Sequence, residues 1–342
     1  MGNICGHSIE KTSRPKSSSY LKYVENPIVH DFRILRPLGQ GGFGKVFLVE
    51  QRSTKQTYAL KCIEKLMLKQ KHCQNKAVME RNILRDVESP FIVNLHYSFQ
   101  TASKLCLVMD YMEGGTLFSL LQKQRKISED QARYFAAQIV LGLEALHDHD
   151  IVHRDIKPEN ILLDEHGHVK LTDFNVSDKA SSNSSSYSGT IEYIPPEVIN
   201  HDIHNKQVDY WGLGVVLYEM LMGLPPFVAL NKKLLVEKIL TEEPRFGSSV
   251  SEDAKDLILR LLKKDPKERP SQISEIKSHK FFSGLDWDHL LEKSWEVPTN
   301  SKDLVRTAYI SEISNDEDEV DDPEFDYDDF DYCRTQEVLK GL

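Results

Sequence analysis

The run Ile151-Val-His-Arg-Asp-Ile-Lys-Pro-Glu-Asn-Ile-Leu-Leu-Asp164 decides how this chain is read, together with Leu171-Thr-Asp-Phe-Asn175 a few residues later. The first contains H-R-D-x-K-x-x-N, and the second supplies a further Asp just beyond a predicted hairpin. Apolar groups at Ile151-Val152, Ile161-Leu-Leu163 and Val169-Lys-Leu171 flank these polar residues. That spacing predicts a polar loop braced by short strands. The inventory suits phosphoryl transfer: a carboxylate to orient an attacking hydroxyl, a cation beside it, and Asn and Asp oxygens to hold Mg²⁺.

Upstream, Phe32-Arg-Ile-Leu-Arg-Pro-Leu38 leads into Gly39-Gln-Gly-Gly-Phe-Gly44 and then Lys45-Val-Phe-Leu-Val49. G-x-G-x-x-G spacing alone is shared with dinucleotide-binding folds. Here a β-branched strand follows the glycines in place of a helix, and no βαβ unit supplies an acidic residue downstream, which argues against a nucleotide-dependent dehydrogenase. A strand–glycine–strand hairpin can lay backbone N–H groups over phosphates, because glycine permits close approach. Tyr58-Ala-Leu-Lys61 follows in strand-like context. Residues 74–88 predict a helix with Ala77, Val78, Ile83, Leu84 and Val87 on one stripe and Glu80 among them.

Occurring together and in this order, the motifs resemble the catalytic core of a eukaryotic-type protein kinase over roughly residues 32–282. Tyr58-Ala-Leu-Lys61, Glu80-Arg-Asn-Ile-Leu84, Gly189-Thr-Ile-Glu-Tyr193 and the tail resemble the AGC group near its ribosomal-protein-S6-kinase branch. Ile161-Leu-Leu-Asp-Glu-His-Gly-His-Val169 with Asp173-Phe-Asn175 also resembles the YANK family, and both readings stay open. The resemblance implies an α+β bilobal fold: a small antiparallel-sheet N-lobe (residues 32–112) over a larger helical C-lobe (113–282). ATP is expected in the cleft between them, with Mg²⁺, and the implied reaction is transfer of the γ-phosphate to Ser or Thr of protein substrates. A pseudokinase scaffold that binds nucleotide and partners is the alternative; it usually lacks the lysine or a metal ligand, and none is missing here.

Carried onto this sequence, Asp155 orients the acceptor hydroxyl and takes its proton, and Lys157 stabilises the transferred phosphoryl group. Asn160 and Asp173 hold Mg²⁺. Lys61 binds the α- and β-phosphates and is fixed by Glu80, with Glu88 the poorer-reaching alternative. Leu38, Gly39, Gln40, Gly41, Gly42, Phe43, Gly44, Lys45, Val46 and Ala59 line the nucleotide, with Val46 on the adenine. Met109, Asp110 and Met112 form a hinge whose backbone meets the adenine edge. Phe91–Phe99 and Lys104–Asp110 are expected strands; Leu117–Gln124 and 129–149 are expected helices, with His147 and His149 read as surface or capping residues. Asp209 should hold the catalytic-loop backbone, since a charge opening the apolar run Val208–Met220 needs partners. Arg269 should pair with Glu197. Thr116 stands where a carboxylate is usual, Asn175 and Pro195 where Gly and Ala are usual, and the Pro-x-Phe of an AGC tail is missing around Val297-Pro298. Glu159 and Glu219 leave a weakened preference for basic residues before the acceptor.

The Ser-rich run 178–190 resembles an activation segment, with Ser186 the expected target of an upstream kinase. Phosphate there would add about −1.5 to −2 charge for Arg154 to meet. Residues 1–31 are polar, without periodicity, and read as flexible. Gly2 and Cys5 are candidate acylation sites for membrane attachment, although Gly6 weakens the myristoylation match. Five scattered cysteines without a C-x-x-C pair favour a reducing compartment and argue against a disulfide framework or zinc site. A cytoplasmic location is expected, membrane-associated where the N-terminus is acylated. Residues 283–342 form an acidic tail with 12 Asp and Glu and no Lys or Arg between Glu312 and Asp331; without these the net charge of −10 becomes about +2. Nucleic acid is therefore not an expected partner. Tyr327, Phe330, Asp331 and Tyr332 resemble the hydrophobic motif that ends AGC kinases, against the simpler reading of aromatics in a disordered acidic run. It is expected to dock beside the Glu80 helix.

Overall fold

A computed structural model describes residues 29–40, 44–70, 73–174, 177–179, 190–202, 205–293 and 330–333. After a 3₁₀ turn at Val29–Asp31, the strands β1 (Phe32–Gln40), β2 (Gly44–Gln51) and β3 (Thr57–Glu64) follow as antiparallel neighbours. Two helices, α1 (Lys65–Gln70) and α2 (Gln74–Asp86), separate them from β4 (Leu95–Gln100) and β5 (Lys104–Asp110). In β3 the side chains alternate: Tyr58 and Leu60 enter an outer core with Phe32, Val49, Phe99, Cys106 and Val108, while Ile63 turns to the main core. β5 is buried at five consecutive positions, Leu105–Met109, because both of its faces are covered.

The chain then runs through β6 (Gly115–Thr116), α3 (Leu117–Gln124) and α4 (Glu129–Asp148). Ser128 caps α4 by accepting from Gln131 N, and Glu129 and Asp130 lie in its first turn, where carboxylates favour the positive helix end. β7 (Ile151–Val152), β8 (Ile161–Leu163), β9 (Val169–Leu171) and β10 (Asp178–Lys179) bracket the polar loops. Beyond them come α5 (Pro196–Ile199), α6 (Gln207–Met222), α7 (Lys232–Thr241), α8 (Glu252–Leu261), α9 (Ile273–Lys277) and α10 (Trp287–Leu291). α6 is buried on nearly every side, as its uninterrupted apolar run requires. It can press on the polar loop only because residue 212 is glycine: a Cβ there would stand 2.8 Å from the Cβ of Ile156.

A last strand, β11 (Tyr332–Cys333), joins the edge of the N-terminal sheet, giving the order β1-β2-β3-β5-β4-β11 with every pair antiparallel. The expected division into a sheet part and a helical part is therefore present. Two expected elements are shorter. The strand predicted from Phe91 begins at Leu95, because Phe91 and Val93 exchange backbone hydrogen bonds with Leu171 of β9 instead. The helix predicted to residue 88 stops at Asp86, since Val87 is already extended and Ser89-Pro90 follows. α7 was not expected; only Leu235 and Ile239 are buried on it, too thin a stripe to stand out among its charges.

Candidate active site

β3 brings Lys61 to the inner face of the sheet, and α2 lies across it. Lys61 Nζ donates to Glu80 Oε1 at 2.6 Å and to Asp173 Oδ1 at 3.1 Å. Glu80 is only 1% exposed, so its charge needs this partner. Burial opposes the ammonium, but the Glu80 and Asp173 carboxylates outweigh it and hold the Lys61 pKa above the ordinary lysine range. Asp173 is held below the usual carboxylate range, where Lys61 outweighs burial.

The polar loop is built around Asp209 at the start of α6. Its Oδ1 accepts from Arg154 N at 2.7 Å, and its Oδ2 accepts from His153 N at 2.9 Å. His147 Nε2 reaches the same Oδ2 at 2.8 Å. His147 is thus a buried partner of Asp209, not the surface or capping residue expected: the end of α4 packs under the loop. His149 does cap, through Nδ1 to the Ala145 carbonyl. His153 Nε2 meets Thr172 O at 3.1 Å while its Nδ1 accepts from Asp155 N, so one imidazole spans the two polar loops. Arg154 and Asp173 sit at φ 67° and 66°, a region that disfavours non-glycine residues. Strain of this kind persists only where surrounding contacts over-determine the backbone.

The resulting constellation is compact. Lys157 Nζ and Asn160 Nδ2 donate to Asp155 Oδ2 at 2.6 and 2.8 Å, and Asp155 Oδ1 is buried with no hydrogen-bond partner among the described residues. An orphaned carboxylate oxygen in a buried site is what a reacting hydroxyl would satisfy. Thr172 N donates to Asn160 O at 3.1 Å and ties Asn160 to the segment carrying Asp173. Among the described residues no three His, Cys, Asp or Glu side chains gather into a cation cage. One carboxylate and one amide oxygen form the sparse set that Mg²⁺ uses when phosphates and water supply its other ligands. The residues therefore fit a cation that arrives with a phosphate ligand.

A cleft of about 340 Å³ opens beside this group, within the range of small-molecule sites. Of the residues expected at the nucleotide, Leu38, Gly39, Gln40, Gly44, Val46, Ala59, Lys61, Met109, Asp110 and Met112 line it, as does Asp173. Gly41, Gly42, Phe43 and Asn175 lie outside the described residues, as do Ser186, Gly2 and Cys5. Lys45 is not on the cleft wall: side chains alternate along β2, and Val46 faces the cleft. Asp110 lines the cleft, but its N–H is already given to Asn94 O. Its carboxylate is also occupied, by His96 Nε2 at 2.7 Å, Asn94 Nδ2 at 2.9 Å and Lys170 Nζ at 2.5 Å.

The wall also includes Tyr111 of the hinge, Thr116 and Glu159, and Val93, Leu162 and Thr172, the last three of which sequence reading did not place there. Thr116 caps α3 by accepting from Ser119 N, a reason for a hydroxyl at this position. Glu159 has one buried oxygen without a partner among the described residues, whereas the Glu219 carboxylate takes the Tyr193 hydroxyl. Arg269 and Glu197 form the expected buried pair, with both bonds at 2.7 Å. Phe330 is 1% exposed; its carbonyl accepts from Ser98 Oγ and its ring lies under the Arg81 guanidinium of α2. This portion of the tail therefore sits beside the Glu80 helix, as expected.

Residues 32–282 match a family model described as the protein kinase domain. A probable serine/threonine-protein kinase of Dictyostelium discoideum is 44% identical over 290 residues, which is 83% of this chain and 63% of that one. The RAC-beta serine/threonine-protein kinase of Rattus norvegicus is 41% identical over 302 residues, 86% of this chain and 63% of that one. Serine/threonine-protein kinase Sgk1 of Fundulus heteroclitus is 43% identical over 277 residues, 79% and 64% of the two chains. The RAC and Sgk relatives are AGC-group kinases, the group the sequence resembled. This chain spans less than two thirds of the length of these relatives.

Proposed function

The chain belongs to the protein kinase family, and from that premise we propose that it is a serine/threonine kinase that phosphorylates protein substrates with ATP. The observation that carries this reading is the pairing of Lys61 with both Glu80 and Asp173, 2.6 and 3.1 Å away, together with an Asp155 oxygen that has no partner among the described residues. A silent scaffold has no use for that oxygen, and nothing favours the pseudokinase reading.

Asp155 Oδ1 accepts a hydrogen bond from the substrate hydroxyl and then takes its proton as the oxygen attacks. Asp155 Oδ2, held by Lys157 and Asn160, keeps the carboxylate aimed. The Lys157 ammonium, 2.6 Å from Asp155 Oδ2, offsets charge on the transferred group, and Lys61 offsets charge on the α- and β-phosphates. Asn160 and Asp173 would hold Mg²⁺, which when bound neutralises charge on the phosphate oxygens. Catalysis of this kind is positioning plus charge stabilisation. A preference for basic residues before the acceptor would rest on Glu159, since Glu219 is 8% exposed and engaged by Tyr193. Activation by an upstream kinase at Ser186, acylation at Gly2 or Cys5 and a cytoplasmic location belong to the same proposal.

Phosphate transfer from Mg·ATP to a mixed Ser/Thr peptide library, with Asp155→Asn beside the native chain, tests this. Transfer by the native chain alone, with arginine or lysine enriched before the acceptor, is expected. Equal transfer by Asp155→Asn would overturn the assignment. Loss of transfer with Mg·ATP still raising the thermal midpoint would leave a nucleotide-binding scaffold.

A further inference from the structure

Cys62 of β3 and Cys106 of β5 stand directly opposite each other across antiparallel strands, with their sulfurs 3.9 Å apart. They share the outer face of the sheet with Phe32, Val49, Tyr58, Leu60, Phe99 and Val108. Cys73 packs in a different core. Strand register therefore juxtaposes two thiols 44 positions apart in the chain on the face opposite Lys61.

We propose that Cys62 and Cys106 are a modification site, oxidised by hydroperoxides to a cross-strand disulfide that thiols reduce and that lowers phosphoryl transfer while it lasts. The effect on transfer rests on the function proposed above; the bond itself does not. Directly opposed antiparallel residues keep their Cα atoms roughly 4.5–5.5 Å apart, inside the roughly 4.4–6.8 Å that a disulfide spans. Their Cβ atoms, at roughly 4.5–5.5 Å, are at or beyond the roughly 3.5–4.5 Å that the bond prefers. The sulfurs must also close from 3.9 Å to about 2 Å. The bond forms by drawing β3 and β5 together, and the strain makes it readily reducible.

The two sulfurs have different parts. The Cys106 thiol donates to Cys62 and lowers the Cys62 pKa, aided by Lys104 and opposed by burial. That same hydrogen bond and its own burial push Cys106 up. Cys62, half-buried where Cys106 is fully buried, is thus the attacking thiolate. It takes one peroxide oxygen: an S–O bond forms, the O–O bond breaks, and the departing oxygen leaves as an alcohol once protonated. Cys106 then gives up its proton and attacks the Cys62 sulfur; the S–S bond forms, the S–O bond breaks, and water leaves. Two electrons pass from the two sulfurs to the peroxide. Lys61, next to Cys62, is displaced from partners at 2.6 and 3.1 Å, and a shift of about 1 Å in a catalytic group costs roughly 10²-fold.

The test treats the full folded chain with tert-butyl hydroperoxide, blocks free thiols after unfolding without reductant, and maps the peptides by mass spectrometry. The expected product is a single cross-link joining the Cys62 and Cys106 peptides. Transfer should fall at least tenfold, return with dithiothreitol, and resist peroxide in Cys62→Ala and Cys106→Ala. Cys62→Ala, at the more open position, keeps the test valid if the buried substitution prevents folding. Recovery of Cys62 and Cys106 as blocked monomeric peptides, or cross-linked to other cysteines, overturns the proposal. A Cys62–Cys106 link that leaves transfer unchanged overturns its effect on Lys61. If the reduced chain shows no transfer, the function proposed above fails, while the mapped link still decides the site.

Discussion

Lys61 Nζ lies 2.6 Å from Glu80 Oε1, a contact that ties the central strand β3 to helix α2 with both side chains largely out of water. Removing one partner of such a pair leaves an uncompensated buried charge, which costs about 3–5 kcal/mol where burial is complete. In Glu80→Gln, Lys61 keeps Asp173 at 3.1 Å, so the folded state should survive. The ammonium would then be shared with a residue expected to hold the cation. Phosphoryl transfer is expected to fall about 10²-fold, the cost of a misplaced catalytic group, with a smaller change in thermal midpoint. Steady-state kinetics beside a melting curve check this; unchanged kcat would remove Glu80 from its role.

Phe330 couples the tail to the same helix. Its ring lies 5.6 Å from the Arg81 guanidinium carbon, and its carbonyl takes the Ser98 hydroxyl of β4. Burying such a ring is worth about 3–5 kcal/mol by truncation, more than a short docked segment can lose and stay in place. Phe330→Ala should release β11, speed hydrogen exchange in α2 and lower transfer several-fold. Exchange in α8, far from the contact, should not change. Equal exchange in α2 of both proteins would disconnect the tail from the helix.

Much of this was legible because the motifs sit at fixed offsets. Asp155, Lys157 and Asn160 share one loop, and Lys61, Glu80 and Asp173 were each announced by the strand, helix or hairpin around them. What escaped depended on long-range register. Nothing local marks His147 as a partner of Asp209, 62 residues away; a histidine ending a helix reads as surface until α6 is packed beneath it. Asp110 was read only for its backbone at the hinge; that its N–H goes to Asn94 and its carboxylate to Asn94, His96 and Lys170 follows from pairings far along the chain. Lys45 was grouped with its glycine-loop neighbours, although strand alternation alone would have set it on the face opposite Val46. Cys62 and Cys106 seemed scattered because only the β3–β5 pairing places them together.

Arg269 and Glu197 form a bidentate pair that is almost wholly buried. Arg269→Leu or Glu197→Leu alone should cost about 3–5 kcal/mol, read as a lower urea midpoint, because each strands a charge in the interior. The double substitution should recover much of that loss, since no charge is left behind. Arg269 also donates to the Lys263 and Gln207 carbonyls, so recovery should stop short of complete. Additive losses in the double variant would show that the pair itself contributes nothing.

Asp110 gives the acid limb of stability its sign. Burial raises its pKa, but the His96 hydrogen bond and Lys170 outweigh that and hold the carboxyl well below the usual range. A depressed folded-state pKa stabilises the fold above the unfolded value, near 3.9, and that contribution is lost as pH falls through the folded value. Asp110 is about one-fifth exposed, so solvent screening trims the effect to about 1–2 kcal/mol. Asp110→Asn should therefore lower the unfolding free energy at pH 7 and flatten its fall below pH 4. Lys170→Met should do the same in part, because His96 and Asn94 remain on the carboxylate. Urea unfolding at several pH values measures both slopes. Parallel acid limbs for the native chain and Asp110→Asn would mean that the carboxylate is not held charged by its neighbours.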